Sequence, residues 1–130
     1  MMKKSFQIDW SEIDAFGHIN SLVILKYVQS MRVEYCTKTK LLVQGNAHAP
    51  ILINISCQYL APLYFPGEVT VQADLKRIGE TSVMTEYLLF NDKGETVARA
   101  EDVIVYYDYE GKKKIPIPDD VRKALEKLFS

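Results

Sequence analysis

The segment from Trp10 to Asn20 places a carboxylate and two other polar side chains just before a long stretch that is predicted to be helical. Asp14 is the carboxylate, and His18 and Asn20 follow it. The first N–H groups of a helix have no intrahelical partner, so a helix start can polarise a carbonyl oxygen or hold an anion. This segment could therefore supply a nucleophile or general base together with an oxyanion site.

The stretch after this segment is predicted to be an α-helix from Ser21 to about Lys40, because it contains no Gly or Pro and its apolar residues recur at helical spacing. Asn20 or Ser21 is available as the N-cap. The apolar stripe consists of Ile24, Tyr27, Val28, Met31 and Tyr35. Further apolar residues lie outside the stripe, which is typical of a central helix that is covered on several sides.

The rest of the chain has the two-residue period of strands. A first strand is predicted at residues 3–10, and four more at 51–60, 69–76, 81–90 and 95–107, separated by turn-forming residues. The predicted apolar faces are Ile51, Ile53, Ile55, Cys57 and Tyr59; Val69, Val71, Ala73 and Leu75; and Val97, Val103, Val105 and Tyr107. A short helix is predicted from Asp119 or Asp120 to Phe129. This order predicts an α+β fold with the long helix on one face of an antiparallel sheet.

Length and composition indicate a single domain over residues 1–130, since 48% of the residues are hydrophobic and the chain has the length of one domain. The formal net charge is −1, and the one basic run, 112–114, is short and follows Gly111 in a predicted loop, which argues against nucleic acid as a partner. No window approaches the ~18 apolar residues of a membrane span. Cys36 and Cys57 have no C-x-x-C spacing and no signal peptide precedes them, so we expect a reduced, cytoplasmic protein.

Other chemistry has less support from the residue pattern. A loop aspartate such as Asp14 often only caps a turn or a helix. No G-x-S-x-G elbow is present, neither cysteine neighbours a histidine, and the D-x-x-G string at 14–17 lacks the phosphate-binding loop that would accompany it in a nucleotide-binding protein. No metal-ligand motif is present, so we expect no metal site.

Three features together resemble the 4-hydroxybenzoyl-CoA thioesterase-like branch of the hotdog superfamily. They are the string Asp14-Ala15-Phe16-Gly17-His18-Ile19-Asn20, the following helix with Tyr27, Arg32 and Tyr35, and the turn Tyr59-Leu60-Ala61-Pro62. The resemblance spans nearly the whole chain. It implies a hotdog fold, in which a curved antiparallel sheet wraps a long central helix, and two protomers that pair their sheets edge to edge with active sites at the interface.

The resemblance implies an acyl-CoA thioesterase that releases free acid and coenzyme A. Asp14 would be the nucleophile or general base, and the backbone N–H of Ser21 would polarise the thioester carbonyl. Gly17 would permit a tight approach, and His18 and Asn20 would shape the site. Coenzyme A would enter only as part of the substrate, without a separate cofactor.

Two positions depart from the family pattern. Ser21 stands where a second Asn is frequent, and Ile24 stands where a Tyr is frequent, which makes that wall more apolar and affects the choice of substrate. These departures leave a second hypothesis open, in which the same groove is a non-catalytic module that binds acyl-CoA or an acyl carrier protein thioester.

Substrate contacts can be nominated by chemistry. Aromatic residues such as Tyr27 and Tyr59, beside Ile24, could line an acyl pocket. Polar groups on or near the sheet could meet the phosphates of coenzyme A; they are Lys76, Arg77, Ser82, Lys93 and Arg99. As partners we expect the thioester substrate and a second copy of the chain, as a homodimer or a dimer of dimers.

Overall fold

The helix that follows the Asp14 segment spans Ser21–Lys38 (α1) in the computed structural model, which describes residues 1–130. Asn20 is its N-cap, because its Oδ1 accepts a hydrogen bond of 2.9 Å from the Leu22 N–H. The helix ends before the predicted Lys40, where the Thr39 hydroxyl donates to the Tyr35 carbonyl and Lys40 adopts a φ of 64°. All five residues of the predicted apolar stripe are buried, which confirms the face of α1 that packs on the sheet.

The strands form one antiparallel sheet, and the α+β hotdog prediction is confirmed. The strands are β1 (Met2–Gln7), β2 (His48–Tyr59), β3 (Glu68–Ile78), β4 (Ser82–Phe90), β5 (Thr96–Asp108) and β6 (Lys113–Lys114). Their order across the sheet is β1-β3-β4-β5-β2, and β6 pairs with β5. A second helix, α2, spans Asp119–Phe129 as predicted. Neither helix is both long enough and apolar enough to cross a membrane.

The first predicted strand was too long at its C-terminal end, and β6 was not predicted. β1 stops at Gln7, and residues Trp10–Glu12 form a single turn of 3-10 helix that Asp9 caps. The Lys113–Lys114 pair, expected in a loop, continues the sheet beside the end of β5. Two residues are too short to give a detectable alternation in sequence.

The predicted apolar face of β5 was wrong. The residues of β5 that join the core cluster beyond Val97 are Ala98, Ala100, Ile104 and Tyr106. Of the other predicted residues, Val105 is buried but lies outside this cluster, and Val103 and Tyr107 are only partly buried. Val97 is buried because it is an extra residue: Leu89 of β4 pairs with Ala98, and Phe90 pairs with Thr96. Such a bulge shifts the alternation of the strand by one residue.

β2 is an edge strand, and none of its residues is buried. Ile53, expected on a buried face, is 59% exposed, and Leu52 is 42% exposed. Ile53 is also an extra residue, because Leu52 pairs with Ile104 and Asn54 pairs with Val103. The apolar pattern of β2 was therefore read correctly as strand, but the strand leaves an unpaired edge with exposed aliphatic side chains.

A buried ion pair joins α1 to the middle of the sheet. Asp102 is completely buried, and its Oδ2 accepts hydrogen bonds from Arg32 Nε at 2.7 Å and from the Tyr87 hydroxyl at 2.8 Å. Its Oδ1 is buried without a hydrogen-bond partner. Burial raises the pKa of the Asp102 carboxyl, and the hydrogen bonds from Arg32 and Tyr87 oppose that rise. Asp102 takes a position on the core face that the sequence pattern predicted to face away.

Removing one member of this cluster should destabilise the protein more than removing all of its polar groups. Arg32→Met leaves a buried carboxylate without its cation, so we expect the free energy of unfolding to fall by about 3–5 kcal/mol. The triple variant Arg32→Met/Tyr87→Phe/Asp102→Leu should recover most of that loss in urea unfolding. The exposed pair Lys76–Glu101, with 2.6 Å between Nζ and Oε2, is the matched control, and Lys76→Met should leave the free energy of unfolding close to the wild-type value. Equal losses in the single and triple variants would contradict this account.

Candidate active site

The Asp14 side chain is held by the backbone that follows it. Its Oδ1 accepts hydrogen bonds from the Phe16 N–H at 2.9 Å and, at the longer distance of 3.4 Å, from the His18 N–H. This arrangement is an Asx turn, in which an aspartate side chain closes its own loop. The second carboxylate oxygen, Oδ2, accepts no hydrogen bond, so half of the carboxylate remains available to a bound molecule.

The loop that carries Asp14 is closed on itself and fastened at its base. Ile13 and Ile19 form an isolated antiparallel bridge, and the Asn20 N–H donates to the Glu12 carbonyl at 2.9 Å. The Glu12 carboxylate accepts a hydrogen bond of 2.8 Å from the Tyr27 hydroxyl of α1. Asp14 is therefore positioned by the chain on both sides of it and by α1.

A pocket of about 410 Å³ opens beside this loop at the start of α1. It brings together three elements that are distant in sequence: the Asp14 loop, the first turn of α1 and the segment that follows β2. The residues that line it are Asp14, His18, Ile19, Ser21, Ile24, Tyr59, Leu60, Ala61, Pro62 and Leu63.

Residues 60–63, which follow β2 and form one wall of the pocket, are positioned by the bulge in β5. The Val97 carbonyl accepts hydrogen bonds from the N–H groups of Leu60 at 2.9 Å and Ala61 at 3.2 Å. The Leu63 carbonyl in turn accepts a hydrogen bond of 2.8 Å from the Ile19 N–H. The bulge thus fixes the wall, and the wall fixes the Asp14 loop, which is a common use of bulges near functional sites.

The backbone N–H of Ser21 donates no hydrogen bond within the chain. It is the first residue of α1, and the Asn20 side chain caps the next N–H, that of Leu22. Tyr59 crosses from β2 to this point, since its hydroxyl donates to the Ser21 carbonyl at 3.2 Å. Asp14, with one free carboxylate oxygen, and Ser21, with a free helix-start N–H, therefore line the same pocket. Groups of these two kinds can together activate a carbonyl for attack.

The supporting polar residues have different places. His18 lines the pocket and packs edge to face on Tyr64, with 5.2 Å between the ring centroids. Asn20 caps α1 and is not among the residues that line the pocket. Gly17 has a φ of +80°, which by itself favours glycine in this turn. No atom of the chain lies within 4 Å of the position of an added Cβ, and the close approach of a substrate at Gly17 stays a prediction.

Of the predicted acyl contacts, Ile24 and Tyr59 line the pocket and Tyr27 does not. Tyr27 is buried, its ring lies 5.2 Å from that of Phe6, and its hydroxyl is occupied by Glu12. Burial and this hydrogen bond raise the pKa of Tyr27. Its helical spacing could not separate a residue that supports the loop from one that touches a ligand.

The polar residues nominated for phosphate contacts lie outside this pocket. Lys76 is paired with Glu101, and Arg99 lines a separate hollow with Asp74 and Glu86. Arg77 and Ser82 flank the β3–β4 turn, at the end of the sheet opposite the pocket, because Ser82 pairs with Val105 whereas Tyr59 pairs with Ala98. Lys93 lines a second pocket, of about 370 Å³, which shares residues 61–63 with the Asp14 pocket.

Residue-by-residue reasoning missed the wall 60–63 and Ile19. The Tyr59-Leu60-Ala61-Pro62 turn was noticed as a family feature, and a proline just after an edge strand was the available signal that the chain leaves the sheet there. The contact of this wall with Ile19 is long-range and has no local signature.

Comparison with known proteins places the chain among thioesterase-like sequences. A sequence model described as the thioesterase-like superfamily matches residues 8–125. The uncharacterized protein YsmA of Bacillus subtilis is 24% identical over 118 residues, which are 91% of this chain and 80% of YsmA. The crystal structure of the PA5185 protein from Pseudomonas aeruginosa has a TM-score of 0.89 and 25% identity, covering 100% of this chain and 92% of PA5185. A predicted thioesterase from Bacillus stearothermophilus has a TM-score of 0.87 and 26% identity, covering 96% of this chain and 93% of that chain.

Proposed function

The chain belongs to the thioesterase-like superfamily, and on this basis we propose that it hydrolyses an acyl-CoA thioester to the free acid and coenzyme A. The observation that carries the proposal is that Asp14 and Ser21, whose N–H has no partner in the chain, line the same pocket. A short segment of the chain supplies both groups, and the proposed reaction uses coenzyme A only as part of the substrate.

Asp14 has one oxygen for each of two tasks. Oδ1 keeps the loop closed through the Phe16 N–H, while Oδ2 is free to act on the substrate. As a nucleophile, Oδ2 would attack the thioester carbon, expel the thiolate of coenzyme A and leave a mixed anhydride that water then hydrolyses. As a general base, it would take a proton from a water molecule that attacks the same carbon directly.

The Ser21 N–H would hold the carbonyl oxygen while it becomes negative. Thioester hydrolysis passes through an oxyanion in either role of Asp14, and a donor fixed before the reaction needs no reorganisation. The helix dipole of α1 adds positive potential at the same point. Ile24, in the first turn of α1, would contact the acyl group with an aliphatic surface.

The proposed working form is a homodimer joined along β2. The outer edge of β2 is unpaired, and Leu52 and Ile53 expose aliphatic surface there. An unpaired apolar edge is a template for another strand, and a second copy of β2 in antiparallel orientation would satisfy its backbone groups. A dimer of dimers is a further form consistent with this pairing.

The test is thiol release by the purified protein from a panel of acyl-CoA thioesters with short, medium, long and aromatic acyl groups. We expect at least one to be hydrolysed, with an acid and free coenzyme A as products. Matching acyl carrier protein thioesters tell whether the carrier matters. Tight binding without thiol release across the whole panel would reject hydrolysis in favour of a binding module.

A further inference from the structure

We propose that Lys112, Lys113 and Lys114 bind the phosphates of the coenzyme A carrier, and that each such lysine group serves the pocket of the partner subunit. The inference rests on the proposed thioesterase function and on the β2-paired dimer. It assigns a role to the one basic run of the chain, which the reaction at Asp14 does not use. We call residues Tyr109–Lys114 the lysine hairpin.

The Asp14 pocket itself offers no partner for phosphates. Neither lysine nor arginine is among its lining residues. The second pocket, which adjoins it, is lined by three carboxylates, those of Glu68, Asp92 and Glu95, against the single cation of Lys93. A polyanionic carrier would be repelled on that side, so its phosphates must leave the pocket in another direction.

The lysine hairpin carries three consecutive cations without side-chain partners. All three lysines are exposed, and none of their ammonium groups forms a hydrogen bond or an ion pair within the chain. Two carboxylates lie in or beside the hairpin. Asp108 faces His48, with 3.8 Å between Oδ1 and Nε2, and accepts a hydrogen bond from the Glu110 N–H, while the Glu110 side chain is exposed.

The hairpin is fastened to the beginning of β2. The Tyr109 N–H donates to the Ala47 carbonyl at 2.9 Å, and the Tyr109 hydroxyl donates to the Pro50 carbonyl at 3.1 Å. The pocket of the same chain lies at the other end of β2, beside Tyr59. At about 3.3 Å per residue, the 12 residues of β2 separate the two ends by up to about 40 Å. The lysines are therefore remote from the pocket of their own chain.

An antiparallel β2–β2 pair reverses this relation. In the register that pairs the full length of both strands, His48 of one protomer lies opposite Tyr59 of the other, and neighbouring strands are about 4.8 Å apart. β6 and β2 pair with Tyr107 and Asp108 of β5 from opposite sides. The lysine hairpin of one subunit is then level with the Tyr59 end of the partner's β2 and lies three strand spacings, about 14 Å, from it. The thioester and the phosphates of an acyl-CoA occupy opposite ends of the long pantetheine arm, which could span from Asp14 to these lysines.

A binding measurement tests the phosphate role without requiring turnover. The probe is a non-hydrolysable acyl-CoA thioether, compared by calorimetry with the same acyl thioether of pantetheine, which lacks phosphates. Lys112→Gln/Lys113→Gln/Lys114→Gln should raise Kd for the CoA compound about tenfold, reduce its dependence on salt, and leave Kd for the pantetheine compound unchanged. The charge-matched control Lys3→Gln/Lys123→Gln/Lys127→Gln should change neither value. Equal Kd values for the CoA compound in the wild type and the hairpin variant would overturn the proposal.

A mixed dimer tests whether the lysines act across the interface. One protomer carries Asp14→Asn with intact lysines, the other carries the lysine substitutions with intact Asp14, and two different affinity tags isolate the mixed species. The one competent Asp14 pocket then has intact lysines only from its partner, so we expect a wild-type KM for acyl-CoA. If the mixed dimer instead has a KM as high as that of the homodimer with substituted lysines, the lysines act on the pocket of their own chain, and the inference is overturned.

Each failure has its own signature in these experiments. Sedimentation of the wild type as a single chain would remove the interface on which the inference rests. Absence of turnover in the wild type would reject hydrolysis, whereas the calorimetric comparison would still decide whether the lysine hairpin binds phosphates.

Discussion

Asp14→Asn should lower kcat for thiol release by about 10²- to 10⁴-fold, the range expected when a nucleophile or general base is lost, with little change in thermal stability. The amide has almost the shape of the carboxylate, and its oxygen can still accept the Phe16 N–H that closes the turn. It cannot take a proton from water or form a stable acyl adduct. Steady-state thiol release with a hydrolysed acyl-CoA, measured beside the melting temperature, checks the expectation.

The same substitution at Asp9 is the matched control. Asp9 precedes Asp14 by a few residues and caps the 3-10 turn through the Ser11 N–H, but it does not line the pocket. Asp9→Asn keeps an acceptor for that cap and should retain the wild-type kcat. Activity of Asp14→Asn within a few-fold of the wild type would exclude Asp14 from the chemistry, whatever the behaviour of the control.

Ser21→Pro should lower kcat by about 10²- to 10³-fold, the cost of removing one oxyanion donor. Proline removes the backbone N–H of Ser21, which has no partner in the chain and therefore leaves no structural hydrogen bond broken. Proline is favoured at the first position of a helix. Asn20, the preceding residue, has φ −57° and ψ 136°, a conformation that residues before proline adopt readily. Stability should therefore be kept while the donor is lost.

Ser21→Ala separates the backbone from the side chain. Alanine retains the N–H and removes only the hydroxyl, so kcat should stay close to that of the wild type. Far-ultraviolet circular dichroism and urea unfolding of both variants report on α1. If the alanine variant loses as much activity as the proline variant, the hydroxyl is the important group; if neither loses activity, the helix start does not hold the oxyanion.

The position of the candidate site was predictable because its signals are local. The Asx turn at Asp14, the positive φ of Gly17 and the Asn20 cap each depend on a residue type within the segment that it shapes. The role of Tyr27 was not predictable, since it depends on a hydrogen bond with Glu12 across the loop. Spacing along α1 places both Ile24 and Tyr27 on the apolar side of the helix, but it does not show that only Ile24 lines the pocket.

The five long strands were predictable in number and not in detail, and the two-residue β6 was not predictable at all. Alternation located β3 and its buried residues Val69 and Val71, but two extra residues, Ile53 in β2 and Val97 in β5, break the alternation where no glycine or proline marks it. The pattern also could not show that β2 is at the edge of the sheet. An apolar strand pattern indicates that the strand is buried against something, but it does not show whether the same chain or another chain buries it.

The buried Asp102 also bears on how β5 finds its alignment during folding. A slip of one residue would turn every side chain of the strand to the opposite face, removing the carboxylate from Arg32 and leaving that guanidinium unpaired beside the core. Alanine and valine alone would distinguish the two alignments weakly, because β5 carries aliphatic residues on both of its faces. The ion pair therefore favours the native alignment of β5, on which the bulge at Val97 and the adjoining wall of the pocket depend.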